Sequence, residues 1–311
     1  MRHHPRFFCT RALHSLFQSL SWKLVGKPQQ TLASPASHSG VGLHSGDRVT
    51  ARLLPVAAGE GRYFVVGGAR IGAAIENVVD SALCTVLARH GRRVRTVEHL
   101  LSALEGLGVD NCRIEIDGGD EVPILDGSAK EWVEAIQQVG ICVARDSSGG
   151  SMDKLAPFLR DPKYVWRDDS FIVAIPSSKI HIKYGINFPQ APSIGQQWFS
   201  SFIDGSTYSK EIAPSRTFCI YEEVEKMRKA GLVKGGSMEN AMVCSTTAGW
   251  LNPPLRFDDE PCRHKVVDLV GDFSLLAQNG NQGFPVADII AYKAGHTLHA
   301  EFVRLLSGMV R

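Results

Sequence analysis

The sequence predicts an α+β protein of two domains, and three observations carry that prediction. Apolar residues alternate in some segments (Val49, Ala51, Leu53) and recur at helical spacing in others (Val97, Leu100, Leu101, Leu104, Leu107). A run of small and polar residues, Asp146-Ser147-Ser148-Gly149-Gly150-Ser151, interrupts both patterns near mid-chain and reads as a linker. With 311 residues, 44% of them hydrophobic, the chain has material for about two domains and a sizeable core. The expected organisation is a leader over 1–29, an N-terminal domain over 30–145, a linker over 146–160 and a C-terminal domain over 161–311.

The leader comes first. No Asp or Glu occurs before Asp47, while Arg2, Arg6, Arg11, Lys23 and Lys27 alternate with Phe7, Phe8, Leu13, Phe17, Leu20 and Trp22. A basic, acid-free amphipathic start has the composition of an organellar transit peptide, though a basic surface helix or arm shares it. Its arginine content favours the mitochondrion, with the plastid as the alternative. In the first domain, Ser39-Gly40-Val41-Gly42-Leu43-His44-Ser45-Gly46 ahead of the alternating 49–53 segment predicts a hairpin. Its glycines miss the dinucleotide-binding spacing, and no Gly-Lys-Ser/Thr follows. A helix is expected over 96–107, with Thr96 as N-cap and Gly106 and Gly108 as stops. A strand follows over 112–116. Pro123-Ile124-Leu125-Asp126-Gly127-Ser128 then leads into a helix through Trp132, Ile136 and Val139.

Beyond the linker, 171–175 and 180–186 read as paired strands turning at Pro176-Ser177-Ser178. The 188–202 segment, with Trp198-Phe199, reads as an irregular loop whose aromatics line an apolar channel or pack in the core. A helix over 262–277 places Val266, Leu269, Val270 and Phe273 on one face and His264, Asp268 and Asp272 on the opposite one at i, i+4 steps. Ala291-Tyr292-Lys293 ends a strand. Gly295-His296 opens a terminal helix with Leu298, Phe302, Leu305 and Met309 on its apolar side; His296 sits at the junction, and His299, one turn on, reads as a surface residue.

Composition excludes several classes. The 34 basic against 32 acidic side chains leave a net charge of +2, with no overall field favouring nucleic acid. No segment approaches the roughly 18 consecutive apolar residues of a membrane span. The seven cysteines (Cys9, Cys84, Cys112, Cys142, Cys219, Cys244, Cys262) form no C-x-x-C pair and read as buried thiols of a reducing compartment. Neither H-E-x-x-H nor H-x-x-E-H occurs, nor a G-x-S-x-G nucleophile elbow, which argues against a zinc peptidase or a serine hydrolase of those kinds.

Two polar clusters remain: Glu98-His99, and His264-Lys265-x-x-Asp268. Each alone also fits a solvated helix face. Together they supply the parts of a mononuclear zinc hydrolase: His99, His264 and Asp268 as three ligands that leave a fourth position for water, and Glu98 beside it as general base. The positive end of the first helix disfavours an imidazolium at His99 and so favours the neutral, ligating form.

Five strings, in order, resemble the UDP-3-O-acyl-N-acetylglucosamine deacetylase family of lipid A synthesis. They are Thr96-Val97-Glu98-His99-Leu100, Asp126-Gly127-Ser128-Ala129, Ser215-Arg216-Thr217-Phe218, Arg263-His264-Lys265-x-x-Asp268-x-x-Gly271-Asp272 and Lys293-x-Gly295-His296. The resemblance runs from about Thr31 to the C-terminus. It implies two similar α+β domains, each a sheet packed on a helix pair, with the active site at their interface. It implies a Zn2+ cofactor on His99, His264 and Asp268, and a UDP-linked acylated amino sugar as substrate; it names no protein partner. The implied catalytic residues are Glu98 as base, His296 as proton donor oriented by Asp272, and Lys265 and Thr217 as stabilisers of the carbonyl oxygen. The basic leader lies outside the bacterial pattern and points to an organellar homologue, as in plants. Two departures touch the acyl passage, which the family builds from an insert in the second domain: 188–202 matches it loosely, and Ile220 replaces an aromatic. A zinc amidase for another acylated amino sugar would keep the same catalytic residues; a silent acyl-sugar or nucleotide-binding protein would need neither Glu98 nor His296.

Overall fold

The computed structural model describes residues 20–308. Two five-stranded sheets dominate it. The first comprises β2 (Ala36–Val41), β3 (Arg48–Pro55), β4 (Arg62–Val66), β5 (Ala69–Gly72) and β6 (Cys112–Asp117), in the order β2-β3-β6-β4-β5. The second comprises β8 (Lys163–Arg167), β9 (Ser170–Pro176), β10 (His181–Phe188), β11 (Gly195–Phe202) and β12 (Ala287–Tyr292), in the order β8-β9-β12-β10-β11. In each, the last strand in sequence inserts at the centre, antiparallel to the second strand and parallel to the third.

The helices repeat the same plan. In the first domain α1 (Glu98–Gly106) precedes the central strand and α2 (Lys130–Val139) follows it. In the second, after an insert carrying α3 (Tyr221–Lys229), α4 (Glu260–Phe273) precedes the central strand and α5 (His296–Gly308) follows it. The protein is thus two similar α+β domains. Alternation buries one face of each sheet, through Ala51, Leu53, Phe64 and Ile114 in the first and Ile172, Ile182, Tyr184 and Ile289 in the second, and one continuous apolar cluster joins them. Each domain also carries a small three-stranded ribbon between its fourth strand and the helix that precedes its central strand: Val78–Asp80, Val86–Arg89 and Arg92–Val94 in one, Phe218–Ile220, Met242–Ser245 and Gly249–Trp250 in the other.

Several local expectations change. The 171–175 and 180–186 segments do not pair with each other, because β12, from more than a hundred residues later, lies between them. The 188–202 loop is instead the turn and second arm of the β10–β11 hairpin, with Phe199 buried and Trp198 half exposed. Within the expected leader, Leu20–Pro28 forms strand β1, antiparallel to β7 (Asp153–Leu159), which occupies about half of the expected linker. Leu20 is buried opposite Leu159, so apolar pairing places both segments in the fold. Leader residues 1–19, including Cys9, and Met309 of the terminal helix lie outside the described residues. The 146–150 segment is an exposed turn in which Asp146 accepts from the Ser148 and Gly150 amides.

Among the described residues no helix is long and apolar enough to cross a membrane. Their cysteines are all free. Cys84, Cys112, Cys244 and Cys262 are buried as expected; Cys219 is half-buried and Cys142 exposed, on a short edge strand.

Candidate active site

The site forms where the equivalent helices α1 and α4 pack against each other. Gly271 permits the contact, since a Cβ there would collide with the carbonyl of Glu98. The helix face carrying His264, Asp268 and Asp272, which in isolation resembles a solvated stripe, is therefore buried against the first turn of α1, where Glu98 and His99 stand. The start of α1 differs from expectation. Thr96 is not its N-cap: the helix begins at Glu98, and Thr96 takes a left-handed φ of 56° while its hydroxyl donates to the buried carboxylate of Glu121 at 2.9 Å. Lys293, just ahead of α5, is likewise left-handed, with φ 52°. Such backbone persists where the surroundings over-determine it, and here it aims two helix starts at one point.

The three expected ligands converge. Nε2 of His99 and Nε2 of His264 lie 3.5 and 3.4 Å from Oδ1 of Asp268, and all three side chains are at most 7% exposed. That Oδ1 is buried and has no hydrogen-bond partner. Nδ1 of His264 lies 3.1 Å from the Ser215 carbonyl, so a proton there leaves Nε2 as a free lone pair facing the cluster. Burial drives the His264 pKa down to about 3, keeping the ring neutral. A buried carboxylate oxygen without a donor, beside two imidazole nitrogens, is the donor set a dication such as zinc requires, and the residues fit such a group.

Around this cluster lie the other expected residues. Nζ of Lys265 donates to Oδ2 of Asp268 at 2.5 Å. Burial opposes ionisation of Asp268, but Lys265, His264 and His296 outweigh it and hold the carboxyl well below its usual range. Burial pushes Glu98 up, against the pull of His296 and His99, and its Oε2 accepts the Thr85 amide at 3.1 Å. His296 sits with Nε2 3.8 Å from Oε1 of Glu98 and 3.9 Å from Oδ2 of Asp268. Its Nδ1 lies 2.7 Å from Oδ2 of Asp272. Burial disfavours the imidazolium, yet Asp272, Asp268 and Glu98 together raise its pKa to about 9. Asp272, buried but ion-paired to His296, is lowered to about 2.

Thr217 lines the same cavity and is held by its amide, which donates to the Gly127 carbonyl at 2.7 Å. This explains the Asp126-Gly127-Ser128 string. Gly127 adopts φ 83° where a Cβ would strike the Asn240 carbonyl, while Asp126 accepts from Ser128 and from Arg256 at 2.8 Å. Arg216 grips both oxygens of the buried Glu260, in the first turn of α4. The motif segments thus tie the Thr217 loop to both domains.

A cavity of about 520 Å3 opens from Glu98, His99, His264 and His296. Away from these residues its lining is mostly apolar, with Val224 and Met227 of α3 joined by Val233, Met238 and Val243, while Glu223, Glu225 and Arg228 of α3 also border it. Of the 188–202 segment Phe188 alone reaches it, so the insert wall lies over 218–243 rather than where the sequence suggested. Ile220 faces the core, 3% exposed, instead of the cavity. Three contributors escaped sequence reasoning. Thr85 joins Glu98 to Asp272, its hydroxyl donating to Oδ1 of Asp272 at 2.5 Å, and no motif marks it. The Ser215 carbonyl orients His264. His299, expected at the surface, is fully buried, with Nδ1 2.8 Å from Asp272.

The sequence profile described as UDP-3-O-acyl N-acetylglycosamine deacetylase matches residues 29–307. The chain belongs to that family. Members similar to it include a protein of Arabidopsis thaliana named probable UDP-3-O-acyl-N-acetylglucosamine deacetylase 1, mitochondrial, 54% identical over 91% of this chain and 89% of that protein. The deacetylase of Trichormus variabilis is 47% identical over 89% of this chain and 97% of its own length. That of Thermosynechococcus vestitus is 46% identical over 91% and 95%. The family match thus spans both domains and all five strings quoted above.

Proposed function

We propose that this chain is a zinc-dependent hydrolase that removes the N-acetyl group of UDP-3-O-acyl-N-acetylglucosamine, releasing acetate and UDP-3-O-acylglucosamine, the committed step of lipid A synthesis. The observation that carries the reading is the buried, unpartnered Oδ1 of Asp268 facing two imidazole nitrogens, with the Nε2 of His296 within 4 Å of both Glu98 and Asp268. In this reading His99, His264 and Asp268 hold zinc, which when bound supplies a Lewis acid for the amide carbonyl and lowers the pKa of water.

The chain's own residues perform the proton transfers. Glu98, made more basic by burial, accepts the proton of the attacking water. His296, tethered at Nδ1 by Asp272, presents Nε2 to the departing sugar amine and delivers the proton that releases it. Lys265 and Thr217 border the cavity and offset the charge that develops on the carbonyl oxygen. The apolar wall from α3 to Val243 accepts the acyl chain. The names of the plant relatives and the basic leader support a mitochondrial location, with residues 1–19 as the part left to act as a leader ahead of β1. We divide the chain beyond β1 into domains over 30–145 and 161–311, bridged by 146–160, whose strand β7 pairs with β1.

The test is acetate release from UDP-3-O-acyl-N-acetylglucosamine by the purified chain, untreated, chelated and zinc-restored. Turnover lost on chelation and restored by zinc is the expected result. Zinc-bound protein that releases no acetate overturns the reading.

A further inference from the structure

We propose that His299 is a positioning residue that fixes the carboxylate on which the proton donor depends; the proposal rests on the deacetylase reading above. His299 stands three residues after His296 on α5, on the same helix face. Its Nδ1 lies 2.8 Å from Oδ2 of Asp272, the oxygen that Nδ1 of His296 approaches at 2.7 Å. Two ring N–H groups thus converge on one oxygen, and Thr85 takes the other. A carboxylate held at both oxygens cannot rotate about its own axis without breaking a charge-assisted hydrogen bond in a buried site.

The far side of the His299 ring is anchored as well. Its Nε2, the unprotonated nitrogen when Nδ1 donates to Asp272, lies 3.2 Å from the hydroxyl of Tyr184, whose single proton has both this nitrogen and the Ala294 carbonyl, 2.6 Å away, as acceptors. The rings of Phe273 and Tyr184 meet it edge-on. Ala294 lies in the short turn that feeds His296 into α5, so the network closes on the residue it serves. Without the His299 donor, His296 is the one remaining partner of Oδ2 of Asp272 among the described residues, so that oxygen and the His296 ring can shift together away from Glu98.

Two substitutions separate positioning from packing, because they rank in opposite orders under the two roles. His299→Asn places an amide N–H near the position of the ring Nδ1–H but leaves space unfilled. His299→Leu fills the space and removes the donor. Positioning predicts that kcat falls about tenfold or more in His299→Leu, with KM and zinc content unchanged, and that His299→Asn recovers most of it. Packing alone predicts the reverse order, and that result overturns the proposal. An activity-independent reading comes from the downfield ring N–H protons of histidine-labelled protein. The His296 Nδ1–H signal should broaden or shift in His299→Leu and persist in His299→Asn. An unchanged His296 signal in His299→Leu overturns the proposal whether or not the wild type turns over substrate, whereas a wild type that binds zinc and releases no acetate overturns the functional reading alone.

Discussion

The two domains share strand order, strand direction and helix placement, yet they are loaded unequally. The first contributes Glu98 and His99, both from the opening turn of α1. The second contributes His264, Lys265, Asp268 and Asp272 along α4, His296 at the start of α5, and Thr217 from its insert. The second helices make the contrast plain: α2 buries Trp132, Val133 and Ile136 and carries none of the proposed site residues, whereas its counterpart α5 carries His296, the proposed proton donor. A repeated scaffold therefore provides two equivalent helices that meet back to back, and the chemistry lies in the contact, where neither half is complete.

The largest expected effect follows from the ligand both histidines face. Asp268→Ala should abolish tightly bound zinc and reduce acetate release to background, a loss of at least about 10³-fold, because polarisation of the carbonyl goes with the metal. Turnover near wild type with full zinc occupancy would refute the role. Next comes the acid from the second domain. His296→Ala should lower kcat by about 10²–10⁴-fold. His296 is raised above its unfolded value, so its proton is present below that pKa and lost as pH rises through it; the bound dication moves the midpoint below about 9. The alkaline limb of the rate profile should vanish in His296→Ala, and its persistence would assign the acid elsewhere.

The interface itself is tested by Gly271→Ala. Alanine favours the helix by about 1 kcal/mol, but its Cβ meets the Glu98 backbone, and overpacking costs about 1–3 kcal/mol. The thermal midpoint should fall and turnover with it; an unchanged midpoint would mean that the domains part without cost. The smallest effect belongs to the exposed face of the first sheet. Arg52→Ala removes pairs with Glu115 and Asp117 that water already screens, and stability should change by less than about 0.5 kcal/mol in urea titration.

What the sequence revealed was local. The helical periods around Leu100 and Val266, the strand at Cys112, and the polar clusters on α1 and α4 depend on residues near in sequence, and the structure brings those clusters together. What it concealed was non-local. No pattern in 171–186 announces that β12 separates its strands, and nothing around Thr85 marks a bridge between two carboxylates contributed by different helices. His299 and the α4 carboxylates looked solvated because a polar helix face and a buried catalytic one have the same spacing; only the partner helix distinguishes them. Leu20 and Trp22 show the same difficulty: a basic amphipathic start and an edge strand share a composition until β7 is placed beside them.

The claim that one centre is assembled from both domains is tested most directly by zinc affinity in His99→Ala, the variant that removes the single ligand proposed for the first domain and leaves the pair proposed for the second. Competition with a chelator of known affinity should give one equivalent of tightly held zinc in the wild type and binding weakened by at least about 10²-fold in the variant. One equivalent bound at wild-type affinity without His99 would show that the second domain holds the metal alone.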